Sequence, residues 1–267
     1  MEAPAERRPW SESETRARQL AGARDLPPVI RDAMTPQLRE FFPRLPVLFV
    51  AGLDAARRPA ASILRGAPGF VAAPTPKLLR IDAAFPENET IGLEVGAPFG
   101  LIGLDFIARR RNRVNGRVAR HGSAQTSVEV AEAFGNCPKY ISPHALTTTA
   151  APGRWTEAGG LDDEACELIA ASDCFFLASH GEGGVDLSHR GGPPGFVETL
   201  RDGRLRIPDF PGNNYFNSFG NLVENPQAAL LFPDFDVGGA LRLSGRAEVD
   251  FVNRVWTFAP EEARWLL

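Results

Sequence analysis

The sequence predicts a mainly β protein: two small antiparallel β-barrels in tandem within one chain. Three observations predict it. A shift of 126 residues lays 62–81 over 188–207 with nine identities, Ser62/Ser188, Gly66/Gly192, Pro68/Pro194, Gly69/Gly195, Phe70/Phe196, Val71/Val197, Leu79/Leu205, Arg80/Arg206 and Ile81/Ile207. The 26 Gly and 23 Pro of this 267-residue chain punctuate many short apolar runs without a three-residue period, which suits turns between short strands rather than collagen or wholesale disorder. Helix signals are few and short. A repeat this long is a duplicated domain of roughly 100 residues, not a solenoid.

Each copy opens on a helix signal. Thr35 before Pro36 caps a helix over 37–42, with proline at the first helical position, and Asp162-Asp163 precede a helix over 164–171. Compact runs rich in Val, Phe and Leu follow at 47–51 and 174–178 and read as buried strands, with Phe49 falling on Phe175 at the same shift. Further strands are expected at 60–63, 70–72, 78–81, 101–104 and 113–118, and at 196–199, 204–207, 228–232 and 241–249. Here the shift drifts to 128 or 129, pairing Pro98 with Pro226, Gly116 with Gly245 and Arg117 with Arg246. One helix per copy is expected to interrupt the strands, clearest at 215–224, where Asn225-Pro226 stops it. A last strand of copy one is expected within 128–142, turning at Gly135-Asn136-Cys137-Pro138; copy two, which ends at Leu267, shows no evident counterpart. The resulting division is a peripheral segment 1–34 with a helix around 12–23, a first barrel 35–144, a linker 145–160 and a second barrel 161–267.

Composition excludes several functions. The 29 Lys and Arg against 33 Asp and Glu give a net charge of −4, so nothing general points to nucleic acid or an anionic membrane. The apolar runs are too short to span a bilayer as helices, and charges at Glu2, Glu6, Arg7 and Arg8 stand where a signal peptide needs an apolar core, so a cytoplasmic location is the default expectation. Cys137, Cys166 and Cys174 form no disulfide framework or zinc spacing, and His121, His144, His180 and His189 are scattered, so no metal is expected.

Two segments suit an anion. In Ser188-His189-Arg190-Gly191-Gly192-Pro193-Pro194-Gly195-Phe196, glycines would bare backbone N–H groups beside a hydroxyl and a guanidinium fork, the chemistry of a phosphate site. The same spacing describes a hairpin loop with a solvated arginine. In Pro211-Gly212-Asn213-Asn214, leading to Asn217, Ser218 and Asn221, amides and a hydroxyl at a helix start would hold an anion, or simply cap the helix.

These runs, with Ile207-Pro208-Asp209-x-Pro211-Gly212-Asn213, Asn221-Leu222-x-x-Asn225-Pro226 and Leu241-Arg242-Leu243-Ser244-Gly245-Arg246-Ala247, resemble the pyridoxamine 5′-phosphate oxidase-like, flavin-binding split-barrel family, strongly over 173–249 and more weakly over 41–140. Phe134-Gly135-Asn136-Cys137-Pro138-Lys139-Tyr140 resembles a stretch following the barrel in one branch of that family. The resemblance implies six-stranded split barrels that bind FMN where two barrels meet, here as an internal pseudo-dimer, with further pairing of whole chains an open expectation. It implies an oxidoreductase acting on a small substrate with an electron donor or acceptor; a non-catalytic flavin or haem binder and a cofactor-free interaction module are the rival readings. Carried over, Ser188 and Arg190 hold the FMN phosphate, Gly191 and Gly192 let the backbone approach it, and Asn213, Asn217, Ser218 and Asn221 form the second phosphate-side segment. Basic residues common in that segment are replaced by Asn214 and Tyr215, and Lys139 from copy one is the expected substitute. His189 and Tyr140 are expected as polar contacts, although alternation turns His189 away from Ser188 and Arg190. Phe196 and Trp256 are expected to line the cleft. Copy one carries Ser62-Ile63-Leu64-Arg65-Gly66, with Leu64 in place of Arg190, and is expected to have lost its site.

Overall fold

The computed structural model of the chain describes residues 6–146, 153–212 and 214–267. Six residues of the expected linker, 147–152, and the expected ligand Asn213 lie outside the described residues. Helix α1 (Glu12–Leu20) is followed by α2 (Pro36–Phe41) and the strands β1 (Val47–Leu53), β2 (Pro59–Arg65), β3 (Val71–Thr75), β4 (Leu78–Ile81), β5 (Pro98–Asp105), β6 (Arg110–Gly122) and β7 (Gln125–Asn136). After β8 (Trp155–Glu157) come α3 (Asp163–Ala171), β9 (Cys174–Gly181), β10 (Gly184–Gly191), β11 (Glu198–Thr199), β12 (Leu205–Pro208), α4 (Asn217–Glu224), β13 (Gln227–Pro233), β14 (Ala240–Asp250) and β15 (Val255–Leu266). No helix among the described residues is long and apolar enough to cross a membrane.

The duplication is visible in the topology. One sheet runs β2-β1-β5-β6-β7-β4-β3 and the other β10-β9-β13-β14-β15-β12-β11, the same order with every partner antiparallel; β8 adds to the second at β15. The repeated glycines Gly116 and Gly245 sit at matching β-bulges, after Asn115 and after Ser244. A Cβ at either would meet a backbone carbonyl of the facing strand, Glu129 at 1.9 Å or Ala259 at 2.1 Å, so only glycine fits both places.

The strands that read as continuous apolar runs do so because both their faces are buried. In β1, Leu48 and Val50 enter the core of the first barrel, while Val47, Phe49, Ala51 and Leu53 enter a separate core with Cys174, Phe176, Ala178 and Leu187 of the second copy. This shared core is the junction of the two barrels. At its centre Phe49 stacks on Phe176, ring centroids 3.7 Å apart, a geometry that adds about 0.5–1.5 kcal/mol beyond burial. The ladders also correct the equivalence: Ser62 faces Val50, whereas Ser188 faces Leu177, so Phe49 corresponds to Phe176 and not Phe175. The second hairpin is one residue shorter, and a one-residue slip exchanges faces; Phe175 accordingly points into the second barrel's core.

Caps hold the helices as expected. Thr35 Oγ1 accepts from Leu38 N, Asp162 Oδ1 accepts from Ala165 N at 2.9 Å, and Ser11 and Glu14 close a reciprocal capping box on α1. Four expectations are corrected. The second copy does have its final strand: β15 pairs with β12 and β14 as β7 pairs with β4 and β6. The expected linker contributes β8, whose Trp155 is fully buried, because apolar Trp155 finds the edge of β15. Copy one has no helix between β4 and β5, where Pro86, Gly92 and the left-handed Gly96 break the chain. Helix α4 also begins later than read, because Asn214 and Phe216 both adopt left-handed backbone before it.

Candidate functional site: a cationic cavity at the junction of the barrels

Strand β6 of the first barrel crosses β10 of the second, and its period-two alternation sends Arg111, Arg113 and Asn115 to one face. Arg113 Nη1 donates to both carboxylate oxygens of Asp186 at 3.0 Å, and Asn115 Nδ2 adds a contact at 3.3 Å. Ser218 Oγ donates to Asp186 at 2.8 Å and hydrogen-bonds Ser188 Oγ at 2.9 Å. This network is buried and joins three elements from two barrels.

Above it lies a small cavity that opens to solvent. Its lining brings together Arg111, Arg113, Asn136 and Tyr140 of the first copy with His189, Arg190, Asp209 and Arg254 of the second, and aromatic rings of Phe196, Phe210, Phe216 and Phe219. Arg254 pairs with Asp209 at 2.6 Å, while Arg190 reaches the same carboxylate only at 3.7 Å and rests over the Phe219 ring at 4.4 Å. Among the described residues none of the Arg190 N–H groups has a hydrogen-bond acceptor, and its Nε is enclosed. Burial, with Arg113 and Arg254 nearby, pushes Arg190 down to about 10 against the pull of Asp209 and Asp186. Burial also raises Asp209, against both arginines.

Arg111 is held by His189, Nη1 lying 2.6 Å from Nδ1. An arginine only donates, so Nδ1 accepts and the imidazole proton sits on Nε2, which is enclosed without a partner among the described residues. Burial first, then the charges of Arg111, Arg113, Arg190 and His144, hold His189 well below its usual value. A histidine kept neutral in the fold takes up a proton on unfolding below about pH 6.5. Stability is therefore full above that pH and declines as pH falls below it, by at most about 1.4 kcal/mol per unit for this group. Chemical denaturation of wild type and His189→Gln between pH 7 and 5 is expected to show a shallower decline in the variant; parallel curves would refute the assignment.

The fold distributes the expected ligands unevenly. Arg190, His189, Gly191, Asn217, Ser218 and Tyr140 line the cavity; Ser188, Gly192 and Asn221 do not. Ser188 is fully buried and engaged with Ser218, and Asn221 bonds Ser179 Oγ at 3.1 Å. Asn217 donates to the buried Glu14 of α1, which Gly220 lets approach α4 closely. The two motif glycines make room for the protein itself: a Cβ on Gly191 would lie 2.1 Å from the Tyr140 carbonyl oxygen, and one on Gly192 2.7 Å from the rings of Phe196 and Phe210. Tyr140, in left-handed backbone, stacks on Phe210 and donates to Pro211 O at 3.2 Å. Lys139 is exposed and points no charge into the cavity, whose cations are arginines instead. Trp256 belongs to the second barrel's core, against Phe175 and Phe219.

Sequence reasoning missed Arg111, Arg113 and Arg254. A signal existed in Arg109-Arg110-Arg111-Asn112-Arg113, where a strand period leaves two arginines on the buried face. The histidines are scattered along the chain, yet ligand atoms of His144, Asp173 and Cys174 come within 4.8 Å of one another. His144 donates to Asp173 at 2.9 Å and stacks on Phe235, so that group is satisfied internally.

The mirror-related place in copy one is closed. Arg242, the ladder equivalent of Arg113, is buried and donates to Ala61 O, Glu89 Oε1 and Thr90 Oγ1 at 3.0, 2.8 and 3.0 Å. Trp155 covers it, 4.2 Å from the guanidinium, and its Nε1 bonds Glu89. Arg65, beside the lost position, bonds Gly238 O at 2.6 Å.

Residues 161–250 match the family described as Pyridoxamine 5′-phosphate oxidase. The second barrel belongs to this family. No curated protein matches the chain. Among solved structures, HupZ from Group A Streptococcus is 17% identical over 40% of this chain and 99% of its own, with a TM-score of 0.31. A protein related to general stress protein 26, of the pyridoxinephosphate oxidase family, from Clostridium acetobutylicum is 16% identical over 38% of this chain and 84% of its own, TM-score 0.30. A FAD-binding protein from Mesorhizobium loti is 13% identical over 43% and 98%, TM-score 0.31.

Proposed function

We propose that the chain binds FMN in the junction cavity and acts as an FMN-dependent oxidoreductase on a small substrate. The observation that carries this reading is Arg190: the arginine of the family motif, half-buried against Phe219, with no hydrogen-bond acceptor for its N–H groups among the described residues, in a cavity walled by aromatic rings. A half-buried guanidinium whose nearest carboxylate is beyond hydrogen-bond reach is costly unless an anion meets it. A phosphomonoester supplies that anion, and Tyr140, Phe196 and Phe210 supply faces for a planar ring.

The flavin, when bound, supplies the electron and hydride transfer. The chain's own residues bind and orient it: Arg190 and Arg254 give positive charge beside Asp209, and the Asp186 network fixes β6 against β10 and α4. Closure of the mirror place by Trp155 and Glu89 supports one flavin per chain.

The visible spectrum of freshly purified protein tests this. Bands near ~370 and ~450 nm, with FMN identified by mass after heat release, are expected, followed by reduction with NADH or NADPH and turnover with an acceptor. Bound flavin without turnover would favour a non-catalytic binder, an intense band near ~400 nm would favour haem, and colourless protein unable to quench added FMN would sink the reading.

A further inference from the structure

Three cavity arginines have a carboxylate within 4 Å: Arg113 has Asp186, and Arg190 and Arg254 share Asp209. Arg111 has none among the described residues. Its hydrogen bonds go to His189 Nδ1 and O, the latter long at 3.4 Å, and its enclosed Nε has no partner among the described residues. Burial, aggravated by Arg113 and Arg190, pushes it down to about 10. A partly buried cation beside two others, with no carboxylate partner among the described residues, is held there at a cost.

The internal comparison shows that this charge is not required by the barrel. The ladders make Ala240 the equivalent of Arg111, since Arg111 faces Leu104 on β5 and Ala240 faces Pro233 on β13. They likewise make Ile63 the equivalent of His189 and Leu64 that of Arg190. In the closed copy all three are apolar and buried; around the open cavity all three are basic. Arg113 and Arg242, each paired with a carboxylate, are present in both. The three residues thus vary together with the cavity, and the structural arginine does not.

We propose that Arg111, held by His189, is an oxyanion-binding residue contributed across the junction by the first barrel. Its ligand is a phosphate or carboxylate group, borne either by the cofactor or by the substrate. The inference rests on the flavin reading for the cofactor source alone; the charge argument stands without it.

The experiment compares wild type, Arg111→Gln and Arg120→Gln, the last a loss of charge at an exposed position of the same strand. FMN and riboflavin are titrated by fluorescence quenching, and acetate and inorganic phosphate are titrated calorimetrically onto FMN-saturated protein. If the cofactor supplies the oxyanion, Arg111→Gln weakens FMN at least tenfold relative to riboflavin. If the substrate does, both flavins bind as in wild type and the small oxyanion no longer binds the loaded protein. Behaviour identical to Arg120→Gln in both arms overturns the proposal. Should wild type bind neither flavin, the flavin reading falls, and thermal unfolding with and without phosphate decides on the flavin-free chain: a phosphate-dependent rise in Tm that disappears in Arg111→Gln supports the residue, and its absence or persistence overturns it. Arg111→Lys, which keeps the charge, controls for misfolding, with binding expected between the two extremes.

Discussion

Asp186→Ala is expected to destabilise the fold by about 3–5 kcal/mol, the range for removing one partner of a buried ion pair. The carboxylate accepts from Arg113, Asn115 and Ser218, so its loss strands a guanidinium and leaves Asn115 only Glu132 and Ser218 only Ser188 as acceptors. Urea unfolding measures the effect; a change under about 1 kcal/mol would contradict the geometry, because even one unsatisfied buried donor costs more. The companion variant Asp186→Leu with Arg113→Met removes both charges and is expected to recover much of the loss. Since the pair joins β6 to β10, the single variant should also loosen the cavity.

Arg190→Ala is expected to weaken FMN by about two orders of magnitude, as truncating a buried charge-assisted contact costs about 2–5 kcal/mol and each 1.4 kcal/mol is tenfold. Its effect on the unliganded fold should run the other way. Arg190 is a burdened cation with a distant carboxylate, so the variant is expected to melt at the wild-type temperature or above it, a trade of stability for binding. Quenching titrations and thermal unfolding on the same samples check both halves. Retained FMN affinity, or a marked fall in Tm, would assign Arg190 a structural role instead.

The sequence carried the strand order well, because a duplicated chain reports its own alignment: a hairpin signal weak in one copy is supported by the other. It failed by one residue at Phe49, since identities at 62–81 and 188–207 say nothing about the length of the hairpin before them. It missed β15 as a counterpart of β7 because Val255–Leu266 matches Gln125–Asn136 in pairing and hardly in residue type. For the cavity, the motif around Arg190 was legible as local chemistry. For Arg111 and Arg113 the strand period signals only that they share a face, and which face of β6 meets the other barrel is decided by packing. The glycines beside Arg190 show the converse: their type was legible and their purpose was misread, as Tyr140 and two phenylalanine rings occupy the space.

The stacked pair Phe49 and Phe176 marks a boundary that no diffusing partner crosses. Where two separate subunits wall a cavity, dilution below their association constant dissolves it, and every substitution is made twice. Here the walls are tethered, so the effective concentration of one for the other stays fixed however dilute the protein. Each half is also free to change alone. One carries Arg111, His189 and Arg190 around an opening; the other has alanine, isoleucine and leucine at those places, holds the paired Arg242 and is closed by a tryptophan.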